Sequence, residues 1–114
     1  MSIELKIKTV EIVTVIELAG DIDAKTTPEI QEKVLSEVEP DSKIILDLSR
    51  VNYMSSAGLR MLLLLYRTTK AQKGNLVLVG LQEEIKDTMS VTGFLDFFIT
   101  CDNVETGLVM LKNK

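Results

Sequence analysis

The sequence predicts an α/β fold: a mixed, mainly parallel β-sheet with helices packed on it, in the order ββαβαβαβα. Three observations predict it. Two β-branched segments near the N-terminus are separated by a short break, as in a hairpin. Two later runs, 44–48 and 76–79, are nearly continuous apolar stretches, the pattern of strands covered on both faces. Segments with apolar residues at helical spacing lie between and after them, which parallel returns require.

Ile3, Leu5 and Ile7 alternate with Glu4, Lys6 and Lys8, and residues 12–18 repeat a strand-like pattern, so the two form an antiparallel pair. Gly20, Asp21, Ile22 and Asp23 open a turn-rich segment. Thr26-Thr27-Pro28-Glu29 then carries two overlapping helix starts. Thr26 with Glu29 has capping-box spacing, and Thr27 before Pro28 puts proline at the first helical position. Either register gives a helix to about Val38, with Ile30, Val34, Leu35 and Val38 on its apolar face. Pro40 ends it.

Residues 43–48 read as a central strand. Residues 51–60 lead from that strand into a helix predicted over 57–73, with Leu59, Leu62, Leu63, Tyr66 and Thr69 as its inner stripe. Met61, Leu64 and Leu65 widen the stripe, which fits either burial under a neighbouring helix or a patch for another protein. Gly74 is expected to stop this helix, after Lys70 and Lys73 place positive charge near its negative end. Residues 76–80 form a buried strand, 82–91 a helix with Ile85 and Met89 on one face, and 97–100 a short strand. Asp102 or Asn103 then caps a last helix carrying Val104, Leu108 and Leu111.

At 114 residues the chain fits one domain over 1–114, large enough for a core without disulfides or metal. The densest apolar run, 61–65, is too short to cross a bilayer, so no membrane insertion is expected. Residues 1–6 lack a basic region followed by an apolar core, which argues against a signal peptide and for a cytoplasmic protein. A net charge of −4 with scattered lysines lacks the basic footprint of a nucleic-acid binder. Cys101 is the sole cysteine and histidine is absent, so an internal disulfide, cysteine-rich metal sites and His-dependent catalysis are excluded.

Open α/β sheets place their sites on loops after the carboxyl ends of parallel strands, and Ser55-Ser56-Ala57-Gly58 is such a turn. Asn52, Ser55 or Ser56 could simply cap the helix that follows. A hydrolytic serine is disfavoured, because the turn lacks the first glycine of a nucleophile elbow and the chain has no histidine base. Asp47 ends its strand much as a phospho-accepting aspartate does. The opening hairpin nevertheless departs from a receiver domain, and Asp47 reads better as a turn aspartate bonding nearby N–H groups. Asp21 and Asp23 are equally turn formers or two carboxylates on one rim, and without further ligands they predict no metal. No nucleotide-binding motif exists, so ATP, if used, belongs to a partner.

The segment Gly20-Asp21-Ile22-Asp23, a helix, and then Asp47-Leu48-Ser49-Arg50-Val51-Asn52-Tyr53-Met54-Ser55-Ser56-Ala57-Gly58-Leu59 together resemble a STAS domain, specifically a bacterial anti-sigma factor antagonist. The resemblance covers nearly the whole chain, including its length and element order. It implies that Ser56, two positions before Gly58, is phosphorylated by an anti-sigma factor serine kinase that binds the ATP. Ser55 stands where such proteins commonly carry aspartate, leaving a second hydroxyl as the secondary candidate. The resemblance also sets the 20–24 loop beside the serine turn in a partner-binding surface of Asp21, Asp23, Ser55, Ser56 and Gly58.

The implied function is a non-enzymatic switch with no catalytic residue and no cofactor. Unphosphorylated, it binds the kinase and frees a sigma factor; phosphorylation at Ser56 inactivates it, and a serine phosphatase resets it. The alternative within the same resemblance is a STAS module of a stressosome or of a lipid or anion transporter complex.

Overall fold

The computed structural model describes residues 3–113; Met1 and Ser2, part of the segment read for a leader, and Lys114 lie outside the described residues. The hairpin is β1 (Glu4–Val10) and β2 (Val13–Ile22), paired antiparallel from Glu4 opposite Ala19 to Val10 opposite Val13. β3 (Lys43–Met54), β4 (Asn75–Val79) and β5 (Ile99–Cys101) then add in parallel, giving a sheet in the order β1-β2-β3-β4-β5. The expected mixed, mainly parallel sheet and the order of its elements are therefore present.

Each parallel strand is added on the same side of its predecessor, so crossovers of one hand all fall on one face. That face carries α1 (Thr27–Leu35), α2 (Ser56–Ala71) and α3 (Glu83–Val91). Ile30 and Val34 of α1, Leu59, Met61, Leu62 and Leu65 of α2, and Ile85 and Met89 of α3 share a core with Ile16, Leu18, Ile44, Leu46 and Leu78 of the sheet. α4 (Val104–Lys112) covers the other face, where Leu111, Val104 and Leu108 pack on Val13, Val15, Ile45, Val77 and Val79. Burial on both faces accounts for the unbroken apolar runs of β3 and β4.

Several boundaries differ from expectation, each for a local reason. α1 ends at Leu35 rather than Val38, although Leu35 and Val38 still pack against the core. Thr26 takes its N-cap position, the first of the two registers, but no capping box closes: its hydroxyl donates to the Asp21 carbonyl at 2.9 Å. β3 runs on to Met54, so Asp47 lies within a strand instead of ending it. α2 ends at Ala71, and Lys73, not Gly74, adopts the left-handed conformation (φ +60°). Gly74 N–H donates to the Thr69 carbonyl and Lys73 N–H to that of Lys70, the paired bonds of a Schellman ending. Gly74 is fixed by proximity instead, since a Cβ there would lie 2.7 Å from the Ser42 carbonyl oxygen. Phe97 and Phe98 are not strand residues. A 3₁₀ turn (Phe94–Phe97) precedes β5, and both rings pack on Tyr66 with centroids 5.7 Å away. Asn103, not Asp102, caps α4, its side-chain oxygen accepting from Thr106 N–H at 2.9 Å.

The wide apolar face of α2 is resolved in favour of burial. Met61 and Leu65 belong to the core shared by the sheet and the helical layer, and of the three widening residues only Leu64 is exposed, at 39%. Leu62→Ala is therefore expected to cost about 2–5 kcal/mol in urea unfolding, and Leu64→Ala to stay within about 0.5 kcal/mol.

Candidate partner-binding and modification site

β3 stops pairing with β4 at Asp47 opposite Val79, but its pairing with β2 continues to Ile22 opposite Met54. The two strands thus project as a ribbon beyond the sheet's carboxyl edge. Two register shifts, between Glu17 and Ala19 and between Gly20 and Asp21, each admit an extra residue in β3. At the first, the Asp47 carboxylate accepts from Ser49 N–H at 3.0 Å, the local bond expected of a turn-type aspartate. Such irregularities re-aim a strand and commonly flank functional sites.

At the tip, Ser55 N–H donates to the Ile22 carbonyl at 2.8 Å, the last link between the two strand ends. Ser55 is extended (φ −79°, ψ 174°) and is the N-cap of α2: its Oγ accepts from Gly58 N–H at 3.4 Å. Asn52 does not cap the helix; its side-chain oxygen accepts from the Gln82 amide at 3.0 Å. Ser56 is the first helical residue, is exposed, and its hydroxyl has no hydrogen-bond partner among the described residues. Gly58 is buried, and a Cβ on it would lie 2.6 Å from Met54 Cγ and 2.7 Å from Ile22 Cγ2. Its lack of a side chain lets α2 start hard against the end of β2.

The 20–24 loop lies beside this turn because β2 and β3 end in register. Asp23 is committed to the loop: its carboxylate accepts from Lys25 N–H at 2.9 Å and Thr26 N–H at 3.0 Å. Its carbonyl accepts from Thr27 N–H and from the Thr27 hydroxyl. The Thr26 N–H, and after it the Lys25 N–H, hold the Asp23 carboxyl below its ordinary value of 3.8, because they bond to the charged form. Asp21 differs. It is exposed and its carboxylate has no partner among the described residues.

Ser55, Ser56, Asp21 and Asp23 are thus brought to one end of the molecule, with Gly58 buried beneath them. Sequence reasoning missed Tyr53 as a surface residue. It lies opposite Asp21, is 53% exposed, and with Asn52, Met54, Leu59 and Glu84 lines a groove of about 210 Å³ next to the turn. Consecutive exposed Asn52 and Tyr53 break strand alternation, a signal that became readable only once β3 was seen to outrun β4.

Two outcomes test this geometry. Gly58→Ala should lower stability by about 1–3 kcal/mol in urea unfolding, through overpacking against Met54 and Ile22. The folded-state pKa of Asp23 is depressed, so its contribution is present above the unfolded value near 3.8 and is lost as pH falls through the folded value. In acid unfolding, Asp23→Asn should flatten that part of the profile.

The STAS domain family profile matches residues 4–107. The chain is 31% identical over 106 residues to the anti-sigma-B factor antagonist of Listeria monocytogenes, covering 92% of this chain and 91% of that one. An anti-sigma factor antagonist from Mycobacterium paratuberculosis superposes with a TM-score of 0.84 at 21% identity, over 96% of this chain and 94% of the other. The Bacillus cell fate determinant SpoIIAA in its phosphorylated form gives 0.67 at 18% identity, over 90% and 96%. Profile and relative together show that the chain belongs to the STAS domain family, among the anti-sigma factor antagonists.

Proposed function

We propose that this protein is a phosphorylation-controlled binding switch. Unphosphorylated, it engages an anti-sigma factor serine kinase and so frees a sigma factor; phosphorylation of Ser56 ends the interaction, and a serine phosphatase restores it. The observation that carries the reading is the Ser56 hydroxyl, exposed and unbonded at the first position of α2. Family membership supplies the class of partner, and one related fold is known in a phosphorylated form.

Ser56 is favoured over Ser55 by what each hydroxyl already does. Ser55 is half-buried and caps α2, so modifying it removes a bond that the helix start uses. Modification of Ser56 breaks no bond. In the transfer, Ser56 Oγ bonds to the γ-phosphorus of ATP held by the kinase, the bond to the β-bridging oxygen breaks, ADP leaves, and the serine proton passes to a base on the kinase. Ser56 is the substrate and not the catalyst, because the chain has no histidine and Ser56 Oγ has no side chain bonded to it as a base. Its setting is the cytoplasm, which supplies the ATP and the transcription machinery.

The added group carries about −1.5 to −2 charge at neutral pH. At the start of a helix that charge is well placed, since backbone N–H groups and the dipole favour it and α2 has no acidic residue in its first turn. The fold therefore survives. Pressed into an interface beside Asp21, the same dianion is desolvated and faces a like charge, which opposes docking.

Incubation with the cognate kinase and ATP should label the protein, and Ser56→Ala should abolish the label. Ser55→Ala should keep the label while losing about 0.5–1 kcal/mol of stability with its cap. Labelling that persists in Ser56→Ala and vanishes in Ser55→Ala would move the site. Absence of labelling, together with recovery of a transporter ATPase instead of a kinase in a pull-down with dephosphorylated protein, would overturn the reading.

A further inference from the structure

We infer that Arg60 is a built-in counter-charge for a phosphate on Ser56, an inference that rests on the reading of Ser56 as the acceptor. Ser56 opens α2 and Arg60 follows one turn later, so the two are exposed neighbours at i, i+4 spacing. Side chains on a helix lean toward its N-terminus, which puts the Ser56 position within the reach of the Arg60 side chain. Arg60 has neither an ion-pair nor a hydrogen-bond partner among the described residues; the cations of Lys8, Lys33 and Lys112 do have carboxylate partners.

In the unmodified protein nothing local favours this cation. The N-terminal end of a helix carries the positive end of its dipole, and the first turn of α2 offers no carboxylate to offset it. A dianion on Ser56 reverses the sign of the local electrostatics. It gives the guanidinium a partner with several acceptor oxygens, and charge-assisted bonds to arginine are among the stronger ones.

Other charges face the same position from neighbouring elements. Asp21 lies beside the turn through the Ile22–Ser55 link and repels a phosphate, as do Asp23 in the same loop and Glu84 in the groove next to the turn; Lys25, exposed in that loop, is its cation. Arg60 differs from all of these in belonging to the helix that carries the serine, so its spacing from Ser56 is set by the helix itself. The consequence is regulatory. The phosphate is held on the helix surface as a dianion at a lower pH than an unpaired phosphoserine, while Asp21 stays free to oppose a partner.

The test places phosphoserine at position 56 by codon reassignment, so that it does not depend on any kinase. Titration followed by ³¹P NMR should show the second phosphate pKa below its ordinary value of about 6 in the otherwise native chain. In Arg60→Gln it should rise by about half a unit, as expected for an exposed helical ion pair involving a dianion, and Arg60→Lys should fall between. Phosphorylation should raise the melting temperature less in Arg60→Gln than in the native chain, while the unmodified Arg60→Gln protein melts no lower than native. A titration identical in the native chain and Arg60→Gln overturns the inference. Failure of kinase labelling with the pKa difference intact would instead remove the proposed function and leave the pairing standing.

Discussion

Parallel pairing of β2 with β3 beyond the reach of β4 is the constraint on which the rest of the site depends. It brings two loops distant in sequence to the same end of the molecule and closes with the Ser55 N–H to Ile22 carbonyl bond. Leu48 and Val51, on the projecting part of β3, are fully buried in the core shared with the helical layer, so the ribbon is anchored as well as extended. Gly58 completes the arrangement, because any side chain there would meet Met54 and Ile22 and push α2 off the strand ends.

Within this frame, residues of identical chemistry have different jobs. Asp23 and Ser55 are both spent on backbone N–H groups, one in the loop that starts α1 and one at the start of α2. Their neighbours Asp21 and Ser56 keep their side-chain oxygens unbonded among the described residues. Such a division suits the proposed charge switch: the bonded pair holds the surface in place and leaves the free pair exposed on it. Under the proposed switch, a phosphate on Ser56 would displace no existing bond, so its effect would be electrostatic at the surface without a rearrangement of the fold.

The core supports the same conclusion. α2 carries the serine at one end and contributes Leu59, Met61, Leu62 and Leu65 to the core shared by the sheet and the helical layer. A helix so deeply anchored presents its first turn as a fixed platform, with the mobility of a long side chain left to exposed Arg60. Across the sheet, α4 seals the second face and takes no part in this end of the ribbon.

Much of this was legible in the chain. Apolar periodicity and turn chemistry determined the hairpin, the parallel strands, the four α-helices and most core positions, since these depend on contacts that repeat along one segment. The motif from Asp47 to Leu59 identified the family. Tertiary structure alone decided what depended on a second segment. Nothing local shows that β3 runs to Met54, because the residues that pair it there belong to β2. Nor does local pattern choose Ser55 over Ser56 as the cap, free Asp21 while binding Asp23, or bury Met61 and Leu65 in the shared core. The sequence by itself determined which elements form; the packing of one element on another determined which polar atoms remained unbonded, and those atoms make the candidate site.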